Sequence, residues 1–253
     1  MTMNKAKIKK VLGIVLGCLL AGGYIGFVEK QNLVKTYSKI EVDLEAVSGV
    51  YFVEEEEIRR VIASSFPELK PGLLLQEIPL KALENRLLGH PFIRSVEAFV
   101  DQQGIVKVSL TQHEPIARIA RPMGADGYLT KEGLLIATSP SYTSRVLILQ
   151  GEYISLLMDQ GKLDEMPELM PLVQFITQDK FWNAQVTELE INARNDVRIH
   201  QQVGEQVIEF GDALDFESKF DRLKVLYQEI LPRKGWDAYQ RISLKYKNQI
   251  VCE

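Results

Sequence analysis

The hydrophobic pattern changes period several times along the chain. Val11 to Val28 is apolar without interruption, eighteen residues that carry no charge before Glu29. As a helix rising 1.5 Å per residue, this run covers about 27 Å, close to the hydrocarbon thickness of a bilayer. After a polar stretch from Lys30 to Ser38, the residues Ile40, Val42 and Leu44 alternate with Glu41, Asp43 and Glu45, the period of a half-buried strand. From Glu54 the period lengthens. Ile58, Val61, Ile62 and Phe66 share one helical face, and Glu54 to Glu57 occupy the first turn, where the helix dipole favours anions. Pro67, Pro71 and Gly72 end that helix, and a second is predicted from Pro79, with Leu80, Leu83 and Leu87 on one face and Gly89 past its end. Ile93 to Val100 reads as a strand, Asp101 to Gly104 as a turn, and Val106, Val108 and Leu110 as alternate positions of the returning strand. The order strand, helix, helix, strand, strand predicts a small α+β unit with two helices covering one face of its sheet.

Downstream the strands are shorter. Ile116 to Ala120, Tyr128 to Leu129, Leu134 to Ala137 and Val146 to Leu149 are apolar segments separated by turn clusters around Gly124 to Gly127 and Lys131 to Gly133. A helix is predicted from about Asp164 to Asp179, carrying Leu169, Leu172, Val173 and Ile176. Strands follow at Val186 to Ile191, Val197 to His200 and Val207 to Phe210. Phe216, Phe220, Leu223, Leu226, Tyr227 and Ile230 then form the stripe of a long helix ending at Pro232. Tyr239 to Tyr246 reads as a last strand, with Ile242, Leu244 and Tyr246 alternating with Ser243 and Lys245, followed by a tail from Lys247 to Glu253.

The residues before the apolar run set its orientation. Asn4 to Lys10 reads NKAKIKK, four lysines and no acid, and positive charge stays in the cytoplasm. The expectation is one membrane helix at 11–28 with residues 1–10 inside and the remainder exported, after a linker at 29–38. A cleaved signal peptide has a shorter apolar core and a small-x-small exit, whereas this run continues past Ala21. Val15 to Cys18 resembles a poor lipoprotein box, but the residues after Cys18 stay hydrophobic. Gly13 and Gly17, and Gly22 and Gly26, have GxxxG spacing, which alone does not assign dimerisation.

Composition narrows the function classes. Just under half of the 253 residues are hydrophobic and a quarter charged, which suits one or two folded cores and excludes a disordered chain. A net charge of -4 lacks the basic excess of nucleic-acid binders. The two cysteines, Cys18 and Cys252, lie in the membrane run and in the tail, so a disulfide between them is not expected. Three dispersed histidines, with no second ligand at helical spacing and no nearby cysteine, predict no metal site, and His90 and His113 read as structural or exposed. The sequence contains no G-x-S-x-G, H-E-x-x-H, C-x-x-C, G-x-G-x-x-G or phosphate-loop pattern, so neither catalytic residues nor a cofactor are assigned. An exported cell-wall hydrolase acting through two carboxylates is the enzymatic alternative, and it requires a cleft in which both face inward.

Several phrases resemble one known family. HPFI at His90 to Ile93 and QHEPIARI at Gln112 to Ile119 resemble the strand entry and exit of a POTRA domain as found in FtsQ/DivIB cell-division proteins. DGYLTKEGLLI at Asp126 to Ile136 resembles the hairpin that follows it there, and ISLKYKNQIV at Ile242 to Val251 resembles the family's ending. That ending typically has an acid and an arginine where Ser243 and Lys245 stand. The resemblance implies a POTRA-like domain at 39–115 and a β-domain at 116–253 with a terminal partner-binding strand. It also implies an inner-membrane protein of the division septum, without enzymatic activity, that binds the bitopic proteins FtsB (DivIC) and FtsL. The expected contacts are Ser243, Leu244, Lys245, Tyr246, Lys247, Asn248, Gln249, Ile250 and Val251. In this expectation Leu244 packs inward, Tyr246 is an aromatic anchor, and residues 245–251 offer backbone pairing at a sheet edge. The alternative outside division is a transport or assembly factor that docks clients on its POTRA-like unit.

Overall fold

A computed structural model describes residues 17–19, 22, 35–45, 47, 49–50, 52–163 and 167–253. The predicted membrane helix at 11–28 lies outside the described residues apart from 17–19 and 22, which are helical. Among the described residues no helix is long and apolar enough to cross a membrane. The chain forms two compact units, one from the residues up to Glu45 with Val53–Gln112, the other from Ala46–Phe52 with His113–Glu253.

In the first unit, β1 (Lys39–Glu45) is followed by α1 (Glu55–Ser65), α2 (Leu80–Leu88), β2 (Ile93–Val100) and β3 (Ile105–Gln112). The sheet order is β1-β3-β2, with β1 parallel and β2 antiparallel to β3. The alternation read from the sequence decides which face is covered. Val106, Val108 and Leu110 of β3 are fully buried, and Ile58 and Ile62 of α1 and Leu83 and Leu87 of α2 supply the helical side of the core. Gln112 continues the buried face of β3, and its Oε1 accepts the Val53 N–H at 3.0 Å, so the one amide in this row is satisfied. The hairpin turn is fixed by Asp101, whose Oδ1 accepts from the backbone of Gln103 and Ile105 at 2.8 and 2.9 Å. Gly104 closes it at φ +80°, where a Cβ would sit 2.3 Å from the Thr36 carbonyl oxygen.

The second unit is built on a nine-stranded mixed sheet. Its strands are β4 (Pro115–Ile119), β5 (Gly127–Thr130), β6 (Leu135–Ala137), β7 (Leu147–Gln150), β8 (Val186–Ile191), β9 (Val197–Gln201), β10 (Val207–Gly211), β11 (Arg241–Ser243) and β12 (Val251–Cys252). They lie in the order β12-β11-β10-β9-β8-β7-β4-β5-β6. The pairs β4 with β7, β7 with β8, and β10 with β11 are parallel. The helices are α3 (Glu152–Gln160), α4 (Leu169–Gln178), α5 (Lys180–Gln185), α6 (Phe216–Val225) and α7 (Leu231–Lys234). Leu149, Leu189, Ile199, Phe210 and Ile242 from the strands pack with Ile154, Leu172, Ile176, Trp182, Phe220 and Leu223 from the helices in one core.

Three elements differ from the sequence expectation. α3 was not predicted, because only Ile154 and Leu157 of its nine residues are buried, too few to show a period. It starts at Gly151, whose φ of +121° lets the backbone pass the Ile191 carbonyl, where a Cβ would lie 2.2 Å away. The helix predicted from Asp164 to Asp179 begins at Leu169, with Pro171 tolerated in its first turn, and α5 follows directly. The Asp179 carboxylate accepts from the N–H groups of Phe181 and Trp182 and caps α5. The long helix does not stop at Pro232. A π-type turn over Leu226–Ile230 resets the hydrogen-bond register, and Pro232 falls in the first turn of α7, where its missing N–H costs nothing.

The β4–β5 hairpin depends on one carboxylate. Asp126 Oδ2 accepts from Arg118 Nε at 2.9 Å and Nη2 at 2.6 Å, and its Oδ1 accepts the Arg121 N–H at 3.1 Å. Burial alone would raise the Asp126 pKa, but the Arg121 backbone donor and the Arg118 guanidinium outweigh it and hold the group below its ordinary value of 3.8. Its contribution to stability is therefore complete above that value and is lost as the pH falls below it. Asp126→Asn is expected to cost about 1–3 kcal/mol at neutral pH. In urea denaturation the difference from the parent chain should shrink as the pH is taken below the ordinary carboxylate value. Leu149→Ala, which empties a fully buried position of the large core, is expected to cost about 2–5 kcal/mol in the same assay.

Candidate functional site at the β11 edge

The predicted partner residues sit where the nine-stranded sheet ends. β11 pairs parallel with β10, Val207 opposite Arg241, Ile208 opposite Ile242 and Glu209 opposite Ser243. Ser243 and Leu244 are buried, and the Leu244 N–H donates to the Glu209 carbonyl at 2.9 Å, one position past the strand. Leu244 thus packs inward and holds the sheet together more than it presents a surface.

From Lys245 the chain leaves the sheet. The strand expected from Tyr239 to Tyr246 is three residues long, and residues 245–249 form an exposed loop that turns at Asn248, φ +60°. Residues 245–251 therefore do not form one extended edge. Only Val251 is in a strand, paired opposite Ser243, while Cys252 lies opposite Ile242. Gly211, the last residue of β10, still lies against Lys245, but Tyr246 comes level with Asp212, where the chain has left β10 for the start of α6, so the alternation of polar and apolar residues continues without a ladder.

Two groups of side chains result. Lys245, Tyr246, Lys247 and Asn248 border a groove against the loop before α6 and its first turns, with Leu214, Ser218 and Arg222 opposite. Tyr246 and Leu214 are each 54% exposed, so the groove has apolar lips. Arg222 donates from Nη2 to the Leu244 carbonyl at 3.4 Å and from Nη1 to Ser218 Oγ at 3.2 Å, and its buried Nε has no partner. Lys245 Nζ lies 3.3 Å from Asp196 and 4.0 Å from Glu209. On the outer side of β11, Arg241 meets Glu209 at 3.5 Å and Glu253 in a closer pair, and the Glu253 hydrogen bond foremost holds the guanidinium pKa above its ordinary value. Ile250 and Cys252 pack against the large core.

Sequence reasoning did not single out Arg222, Leu214, Arg241 or Glu253. Arg222 lies on the polar side of a helix and finds its acceptor 22 residues further on, which no local period encodes. A carboxylate at the fourth place after Gln249 was a usable sign that the tail returns beside Arg241, since opposite charges across a strand pair favour each other.

Elsewhere the chemistry is dispersed. His90 lies 3.6 Å from Glu57, His113 3.8 Å from Glu132, and His200 3.6 and 3.4 Å from Glu188 and Glu190. Among the described residues no group of three or more His, Cys, Asp or Glu is placed to hold a metal ion. A hydrolase needs two carboxylates converging in a cleft. The groove that Glu205 shares with Asp237 has two, both facing water.

Comparison with protein families agrees with this architecture. Residues 35–111 match the model of a POTRA-like domain, and residues 114–253 match that described as FtsQ/DivIB, C-terminal related. No curated protein sequence matches the chain. The second match spans more than half of the 253 residues and contains the whole β11 edge, and on that ground the chain belongs to the FtsQ/DivIB family.

Proposed function

We propose that this protein is a non-catalytic scaffold of cell division. Residues 11–28 anchor it in the inner membrane, both folded units lie outside the cytoplasm at the septum, and the β11 edge binds FtsB (DivIC)-like and FtsL-like bitopic partners. The observation that carries this reading is the weak end of the nine-stranded sheet in the unit that matches FtsQ/DivIB. A sheet edge offers backbone N–H and C=O groups to any extended segment, and the neighbouring side chains decide which segment is accepted. Here the selecting groups are the exposed ring of Tyr246, the lysines at 245 and 247, and Arg241. Ser243, Leu244, Asn248, Gln249, Ile250 and Val251 shape the edge and its return loop.

The POTRA-like match also fits a transport or assembly factor, and the two readings separate in cells. A division scaffold gives filaments when depleted, whereas an assembly factor gives loss of outer-membrane proteins.

The binding test is a pull-down from detergent extracts with the full chain and with a form lacking Ser243–Glu253. The expected result is recovery of an FtsB/FtsL-like pair by the intact form alone, with both forms retaining a folded POTRA-like unit because the two units have separate cores. Equal recovery by both forms moves the interface away from the edge.

A further inference from the structure

The segment that joins β1 to α1 connects two elements of the first unit, yet it packs in the second. Ala46–Phe52 belongs with His113–Glu253, so the chain passes between the units three times, at 45–46, 52–53 and 112–113. The second unit's sheet shows why. Successive side chains of a strand face opposite sides: on β5, Leu129 enters the large core, whereas Tyr128 is fully buried outside it. Its cover is aromatic. The Phe52 ring lies 5.3 Å from that of Tyr128 and 5.4 Å from that of Tyr142, the latter contact edge-on. Phe52 and Val50 are only 2% and 4% exposed. The polar ends of the two tyrosines are engaged as well: the Tyr142 hydroxyl donates to the Gly49 carbonyl at 2.8 Å, and the Tyr128 hydroxyl accepts the Ser144 N–H at 3.0 Å.

We propose that Tyr128 and Tyr142 form an aromatic docking surface on the face of the sheet away from the large core, and that its occupant is residues 46–52 of the same chain, a strap seated through Val50 and Phe52. The described part of the strap has no ladder beyond the single bridge of Val47 with Val50, whereas β5 beneath it is bonded to β4 on one side and β6 on the other. The strap therefore opens at lower cost than the strand it covers. Opening bares the Tyr128 ring, with Ile136 opposite it in register on the same face. The strap also links the two units energetically. β1 ends at Glu45 and α1 begins at Glu55, so the strap is held covalently at both ends by the first unit. A ligand of the first unit that favours one placement of β1 or α1 shifts the strap's equilibrium, and closure of the strap shifts that ligand's affinity in return.

A thiol at position 50 reads the strap directly. The chain has two cysteines, Cys18 and Cys252, so the full chain carrying Cys18→Ser, Cys252→Ser and Val50→Cys has a single thiol at a buried site. Its alkylation is followed across a urea series below the unfolding transition. The expected rate without urea is about tenfold or more below that of the unfolded chain, and it rises with urea less steeply than global unfolding does, because a local opening exposes little surface. A rate equal to that of the unfolded chain means the segment is not docked, and a urea slope equal to that of global unfolding means it does not open as a strap; either result overturns the proposal. Tyr142→Phe in the same chain loses the hydroxyl that bonds Gly49 and is expected to raise the rate about fivefold, and an unchanged rate contradicts that anchor. The second arm places Phe52→Ala in the parent chain and measures hydrogen exchange. The Ser144 amide, which bonds the Tyr128 hydroxyl, and the amides of β5 are expected to exchange about tenfold or more faster as Tyr128 loses its cover. Unchanged exchange at Ser144 and throughout β5 overturns the proposal, whichever amides of the first unit respond.

Discussion

A β-sheet can stop only where the outward N–H and C=O groups of its last strand find water, a side chain or another strand, and the second unit of this protein is arranged around that requirement. Eight of its strands are bonded in a continuous order from β11 to β6, and at the β11 end two residues of the tail complete the pattern. The interior can be rigid because β7, β8 and β9 are flanked on both sides and carry fully buried residues such as Leu149, Leu189 and Ile199. The exterior cannot share that rigidity. β12 has a loop of exposed residues before it and holds by a few backbone bonds and one ion pair.

That difference in local stability connects the fold to a scaffolding role. A scaffold needs no chemistry, but it needs a surface whose alternatives are close in free energy, so that a partner's modest differential affinity shifts the population. The large core, with Trp182, Phe210, Phe220 and Tyr227 in contact through their rings, anchors β10 and α6, while residues 245–249 after Leu244 are exposed. The first unit has its own core of Val106, Val108, Leu110, Ile58, Leu83 and Leu87 and does not depend on the state of that edge.

Much of this was legible in the sequence, for reasons that differ by element. β3 announces itself because every second residue is buried, so alternation survives intact, and β1 keeps it around buried Val42, whereas β2 breaks it at the register shift between Ile93 and Ser95. α1 and α2 announce themselves because each turns a single apolar stripe inward. The inward placement of Leu244, which the family resemblance implies, is observed, although Ser243 beside it is buried as well. What failed was inference across distance. The sequence period runs on through Tyr246, yet the strand ends at Ser243, because a ladder needs a neighbour and the chain after β10 turns away into α6. α3 was invisible because two buried positions make no period. The helix crosses Pro232 because the π turn before it removes the need for that N–H. The tail's return was hidden because β12 is two residues long and its strongest marker, the pairing of Glu253 with Arg241, joins residues 12 apart.

The most direct measurement is hydrogen exchange at the backbone amides of residues 240–253, free and with the proposed partners added. The account predicts that binding changes the exchange of amides within 245–253 while Ile242 and Leu244, buried in the sheet, stay protected. Unchanged exchange throughout 240–253 on binding would contradict the edge as the partner site.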